Sequence, residues 1–368
     1  MFRRLAIAAV AAAAAVAVVA LPSPAFAADS FTAPVTVVAP ACATAPGSAD
    51  AAFGASTIRG FADFSACSHA IYYFQGGSQG YTRVLSPYRG IVLGVDADET
   101  ATYLVYLMTD TAGHASGIGV TKRSHAGAFS ATRVLSMAAA SQVVTPTADI
   151  GAEGGKWWAV WTEQVGPGGE FAPQELFQAK TFGTAANRQQ ITFTAADVDN
   201  SEPSVSLDAN GAVLAWTRQT APAQPGPSDL WVATNANTAW SSRVFSSAGT
   251  DNRTADVKRI GGFTFLAFVR DGRIVESENT TGAWTSHVFL TPGDRPRVGS
   301  TSGSQFVAWT ASNGVFYARG NKGSQSFVGQ TVSATGTALD TMVTANGKGT
   351  LLIRSGLRLY SITSLTAI

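Results

Sequence analysis

Residues Pro203–Ser247 read PSVSLDANGAVLAWTRQTAPAQPGPSDLWVATNANTAWSSRVFSS. Four short apolar or alternating runs lie in this stretch: Ser204–Leu207, Ala212–Thr217, Asp229–Thr234 and Trp240–Ser246. Turn formers separate them: Asp208-Ala209-Asn210-Gly211, the Pro/Gly-rich Ala221–Pro227, and Asn235-Ala236-Asn237. A period of two between turn signals marks β-strands, so the stretch predicts a four-stranded antiparallel meander.

The same sketch recurs along the chain. Its fourth strand places an aromatic residue a few positions before Val or Leu, as in Tyr81–Leu85, Phe129–Leu135, Trp240–Phe245 and Trp284–Phe289. Phe327–Val332 is a weaker copy, and Arg188–Phe193 fills the slot without the leading aromatic. These starts lie 48, 59, 52, 44 and 43 residues apart, close to the roughly 40–50 residues of one blade of a β-propeller. The second strand repeats as Tyr103–Leu107, Trp157–Trp161, Val213–Trp216, Phe265–Phe268 and Phe306–Trp309. Such continuous apolar runs suit strands covered on both faces by neighbouring blades. The C-terminal segment supplies three strands, Asp340–Ala345, Gly349–Arg354 and Leu357–Thr363, and Phe31–Val38 carries the fourth-strand pattern. The expectation is an all-β, seven-bladed propeller of four-stranded antiparallel blades, closed by the N-terminal strand as outer strand of the last blade. Residues 40–79 are the least regular, so six blades is the alternative.

Arg3 and Arg4 precede the apolar run Leu5–Leu21, and Ala25-Phe26-Ala27 has the small-x-small pattern of a cleavage site. Residues 1–27 therefore read as a signal peptide, and 28–368 as a single secreted domain with no membrane insertion after cleavage. Loss of Arg3 and Arg4 takes the formal charge from +1 to −1, and so balanced a chain has no electrostatic footprint for nucleic acid or an anionic membrane. Cys42 and Cys67 are expected to form a disulfide closing a 26-residue loop, as export favours. No metal site, no cofactor and a monomer are expected.

Loops following fourth strands share one face, here called the top, with loops between second and third strands. Long loops there, 166–173 with Glu170 and 221–227, are natural carriers of binding residues. Charged residues recur just before first strands: Tyr88 and Arg89; Asp199, Asn200 and Glu202; Asp251, Asn252 and Arg253; Asp294, Arg295 and Arg297. Asp and Asn in such places cap turns, while Arg89, Arg253 and Arg295 would clamp a small carboxylate at the channel mouth. His114 shares a top loop with Asp110; His125 and His287 read as surface residues. No GxSxG, HExxH or phosphate-binding glycine loop occurs.

The hairpin Ser277-Glu-Asn-Thr-Thr-Gly-Ala-Trp284 resembles the Asp-box turn of sialidases and related propellers (BNR repeats), S-x-D-x-G-x-x-W. Ser277 and Trp284 keep the spacing, Asn279 stands for the Asp and Gly282 comes one place late. The resemblance implies a propeller whose hairpins are structural. Two functions follow from these readings: a non-catalytic exported module binding a glycan, cell-envelope or protein ligand through top-face loops, or a sialidase-like or other glycoside hydrolase. The hydrolase would draw its acidic pair from Asp110, Glu163, Glu170, Asp199 and Glu202.

Overall fold

The computed structural model describes residues 31, 33–38, 47–52, 57–64, 68–77, 80–110, 112–137, 146–166, 172–181, 188–195, 197–220, 227–235, 240–246, 250–280, 282–300, 303–323, 326–333, 335–343, 348–355 and 358–364. The expected signal peptide, Glu170 and the Cys42–Cys67 bridge lie outside these residues. Among them, no helix is long and apolar enough to cross a membrane.

The chain is an all-β propeller of antiparallel meanders. Its first strand, β1 (Val35–Val38), is set aside while β2 (Gly47–Ala52), β3 (Ile58–Phe64), β4 (Ala70–Gly77), β5 (Gly80–Ala97), β6 (Ala101–Thr109), β7 (Ala115–Ser124) and β8 (Arg133–Met137) form one sheet in that order. Four-stranded sheets follow: β9 (Ala148–Glu153), β10 (Lys156–Gln164), β11 (Gln174–Lys180) and β12 (Gln189–Gln190), then β13 (Val198–Asp208), β14 (Gly211–Thr220), β15 (Ser228–Asn235) and β16 (Ser241–Ser246). Next come β17 (Asn252–Ile260), β18 (Phe263–Arg270), β19 (Arg273–Asn279) and β20 (Trp284–Pro292), and β21 (Asp294–Ser300), β22 (Ser304–Ala311), β23 (Gly314–Asn321) and β24 (Phe327–Ser333). The last sheet joins β25 (Thr337–Val343), β26 (Gly349–Ser355) and β27 (Arg358–Thr363) to β1, with Val35 opposite Ser361.

Counted as hydrogen-bonded sheets the propeller has six, the alternative count, rather than the expected seven. The reason is β5. Tyr88 and Arg89 read as residues of the connection before a first strand, yet one strand runs through them for 18 residues. Its first half pairs with β4 up to Arg89 and its second half with β6 from Gly90 onward. Gly90 makes the transfer possible: it adopts φ +152°, and a Cβ there would lie 2.0 Å from the Leu107 carbonyl oxygen. Around the axis, the inner strands β2, β5, β9, β13, β17, β21 and β25 neighbour one another in turn, and β25 returns to β2.

Second strands are buried on both faces, as their sequences foretold. In β10, Trp157, Ala159 and Trp161 pack toward β6 and β7, while Trp158 and Val160 pack toward β13 and β14. Aromatics at the heads of outer strands close seams: Trp240 lies 4.8 Å from Trp158, and Trp284 4.7 Å from Phe245, between ring centroids.

Candidate functional site

The inner strands enter at the top and carry a bulge near their start. Pairing slips between Ser201 and Ser204 in β13, Arg253 and Asp256 in β17, and Asp294 and Arg297 in β21. Each slip holds one non-glycine residue in the left-handed region: Glu202 at φ 51°, Thr254 at 53° and Arg295 at 51°. This conformation costs on the order of 1–3 kcal/mol for such residues. Three successive sheets thus present the same strained corner at the channel mouth.

The sequence pattern Asp-Asn just before two of these corners now has a physical role. Asp199 accepts the Gln174 N–H at 2.8 Å, and Asp251 accepts the Ser228 hydroxyl at 2.6 Å, each tying an inner strand to the third strand of the preceding sheet. Asn200, fully buried, donates to Glu175 at 3.2 Å and accepts the Trp216 indole N–H at 3.0 Å. Asn252, equally buried, donates to the Ser228 carbonyl at 3.1 Å and accepts from the Ser246 hydroxyl at 3.0 Å.

Below the mouth, inner strands of neighbouring sheets are joined by side chains rather than by a backbone ladder. Glu202 accepts the Thr254 N–H at 2.8 Å and the Thr217 hydroxyl at 3.1 Å. One level down, Asp149 accepts the Val205 N–H at 2.8 Å, Ser204 the Val257 N–H at 3.2 Å, and Asp256 the Val298 N–H at 2.6 Å. Lower still, Asp96 accepts from Ala152 at 2.8 Å and Ser206 from Arg259 at 3.0 Å. At the bottom turns, Asp98 accepts from Gly155 at 2.6 Å and Asp208 from Gly262 at 2.8 Å.

These links leave a run of carboxylates along the lumen. Lys258, on β17, reaches Asp96, on β5, at 3.6 Å, although β9 and β13 stand between those strands in the ring. Burial pushes the Asp149 carboxyl up to about 7; Asp256 and Asp96 add to the rise, and the Val205 and Ile150 N–H groups oppose it. Among the described residues, no group of three or more His, Cys, Asp or Glu is placed to hold a metal ion.

The remaining candidate residues fall into separate places. Asp110 and His114 meet on the surface, Nδ1 to Oδ2 at 3.1 Å, and the His114 backbone N–H holds the Asp110 carboxyl below its usual range. Glu163 is not at the mouth but in the seam toward the double sheet, bonded to Arg188 and to the Trp161 indole N–H at 2.6 Å. Burial alone would raise its carboxyl, yet the Arg188 and Trp161 bonds bring it below the usual range. Burial raises Asp199. Arg89 donates to the Ser68 carbonyl at 2.9 Å, Arg253 lies 3.6 Å from Asp251, and Arg295 is exposed at its strained corner.

The histidine readings need correction. His287 is half-buried, edge-on to Phe289 at 4.9 Å and tilted against Phe327 at 4.8 Å, because the outer strand of one sheet packs against that of the next. His125 is half-buried too, at the turn after β7. In the hairpin resembling the Asp-box, Asn279 accepts the Gly282 N–H at 2.8 Å, and Ser277 shares a 2.7 Å bond with Ser286. Sequence reading missed Glu175, Asp96, Asp149 and Asp256; the signal available for the last two was a lone Asp at corresponding places in first strands.

No protein-family model matches the chain, and neither does any curated protein. Solved structures match its fold. A Penicillium chrysogenum α-L-arabinanase complexed with arabinobiose is 10% identical at TM-score 0.55, over 79% of this chain and 98% of that one. YCF48 bound to D1 peptide is 12% identical at TM-score 0.52, over 90% and 96%. A Mycobacterium tuberculosis puromycin-hydrolysing peptidase is 10% identical at TM-score 0.54, over 87% of this chain. The chain spans about half the length of that peptidase, 52%. At these identities the likeness shows a β-propeller fold alone, with hydrolases and a peptide-binding protein among the neighbours.

Proposed function

We propose that the protein is an exported, non-catalytic binding module that takes a protein, glycan or cell-envelope ligand at its top face. One observation carries this reading: the carboxylates available for acid–base work at the top are engaged as structural acceptors. Glu202 holds Thr254 and Thr217, Asp199 holds Gln174, and Asp110 holds the Ala112 and His114 N–H groups; Glu163 lies away from the mouth, paired with Arg188. A glycoside hydrolase needs two carboxyl groups about 5–10 Å apart facing one bond, with one of them open to water. The strained corners at Glu202, Thr254 and Arg295 are suited instead to presenting fixed backbone and side-chain groups around the mouth. Structural similarity to a propeller seen with a bound peptide is consistent with a protein ligand.

In this reading β5 serves two blades, so that seven inner strands frame the mouth. The mature chain is a monomer whose Cys42–Cys67 bridge staples the N-terminal region. The test is a glycan and peptide array run beside a panel of fluorogenic glycosides on the exported protein. Binding without turnover is expected, and binding should weaken on substituting Arg295→Ala. Turnover abolished by Asp199→Asn or Glu202→Gln would establish the glycoside hydrolase instead.

A further inference from the structure

The seam between the β17–β20 and β21–β24 sheets contains a carboxyl group with nothing to bond. Glu276, in β19, is 0% exposed, and neither of its oxygens has a hydrogen-bond partner among the described residues. Its side of β19 faces the β21–β24 sheet, since Ile274, two residues earlier, packs with Val307, Trp309 and Ala318. An ionised carboxylate without a partner is far costlier to bury than the neutral acid, so the group rests here protonated.

Two sheets earlier the same position is satisfied. Gln178 pairs with Val160 as Glu276 pairs with Ala267, and both partners face the following sheet. Gln178 Oε1 accepts two indole N–H groups at 2.8 Å, from Trp158 and from Trp240 at the head of the next outer strand. In the later seam those two places hold Phe265 and Phe327. A ring without N–H offers no donor, so the acid keeps the shape of its counterpart and loses its bonds.

The groups around it do not supply a counter-charge. On its own strand Glu278 is occupied by the Gly323 N–H at 3.1 Å. Directly opposite on β20, His287 is packed against Phe289 and Phe327. Lys322, at the turn after β23, lies over the Phe263 ring. β18, β21 and β23 contribute Ala267, Val298 and Ala318 to the seam, and β22 adds the neutral Gln305, buried and without a hydrogen-bond partner for its side chain among the described residues.

We propose that Glu276 is a proton-controlled latch: protonated, it lies closed in this seam, and loss of the proton parts the two sheets. Burial pushes the carboxyl up to about 9 and Glu278 adds to the rise, so the hold of the latch weakens steadily as pH climbs from the ordinary value of 4.5 toward about 9. Hydrogen–deuterium exchange of the full chain, compared at matched pH with Glu276→Gln and Glu276→Leu, tests this. Matched pH cancels the chemical exchange rate, leaving the opening equilibrium. Amides of β19 and β22–β24 should exchange equally in all three proteins below about pH 4.5, where the carboxyl keeps its proton in the closed and the parted seam alike. From there the excess of the unsubstituted chain over either variant should grow by up to about tenfold per pH unit and level off above about 9. A ratio that stays flat with pH overturns the latch, and so does an excess spread evenly over all sheets. Failure of both variants to fold also overturns it, because a neutral side chain is the state the proposal requires.

Discussion

The Asp149 carboxylate on β9 accepts the backbone N–H of Val205 on β13 at 2.8 Å, substituting for a ladder that the splayed inner strands do not form. Ser204 and Asp256 repeat the act one and two sheets further round. Asp149→Ala leaves the Val205 N–H without its partner, which costs about 1–3 kcal/mol for a buried donor. The denaturant midpoint of the variant reports it. An unchanged midpoint would show that the link contributes nothing.

Asp149 and Glu276 hold their protons more tightly folded than unfolded. Their contribution to stability is complete below the ordinary carboxylate values of 3.8 and 4.5, and is lost as pH rises through about 7 and about 9. Glu163 and Asp98 are lowered, so theirs is present above the ordinary range and fades as pH falls below it. The melting temperature should therefore rise as pH drops from 9 to 5 and turn down in stronger acid. Calorimetry across that range decides; a curve rising toward alkaline pH contradicts the assignment.

Removing Arg188 strands Glu163 against Trp161 in the seam. A fully buried pair broken this way loses about 3–5 kcal/mol; Arg188 is 47% exposed, which cuts the expected loss to about 1–2 kcal/mol. Arg188→Ala should lower the melting temperature while Arg188→Ala with Glu163→Gln recovers part of it. If the double variant is no better than the single, the pair is not what holds this corner.

β1 is bound from two sides: by β27 in its own sheet and by Arg83 of β5, which donates to the Val37 and Thr36 carbonyls. Deleting residues 28–38 exposes the edge of β27 and unseats Val37 from the core it shares with Ile58 and Phe74. A large drop in melting temperature is expected, well beyond that of any single substitution above. A truncated chain that melts with the intact one would mean that the ring closes without this strand.

Second and fourth strands were legible because burial on both faces demands unbroken apolar runs such as Trp157–Trp161, and because most outer strands open with a seam-filling ring. β12 was faint for the matching reason: Arg188 stands where an aromatic would, its guanidinium lying over the Phe177 ring. The continuity of β5 was hidden by Pro87, which reads as a break in a sequence but sits comfortably at an outer edge. Glu276 was hidden more deeply. In a strand covered on both sides, alternation no longer tells inside from outside, so a charged residue carries no mark of its burial. The lumen acids were likewise invisible, since their partners are backbone N–H groups some 42–57 residues away.

The long strand β5 makes the ring unequal along its length. At other junctions one meander hands over to the next through residues outside the ladders, as between β16 and β17 or, more tightly, at Gly293 between β20 and β21. Where the first meander passes to the second there is no such place: a cut within β5 severs a strand that the two hold in common. Residues 47–137 are therefore the smallest piece of this region that can be exchanged or excised whole, and they must enter the folded ring together.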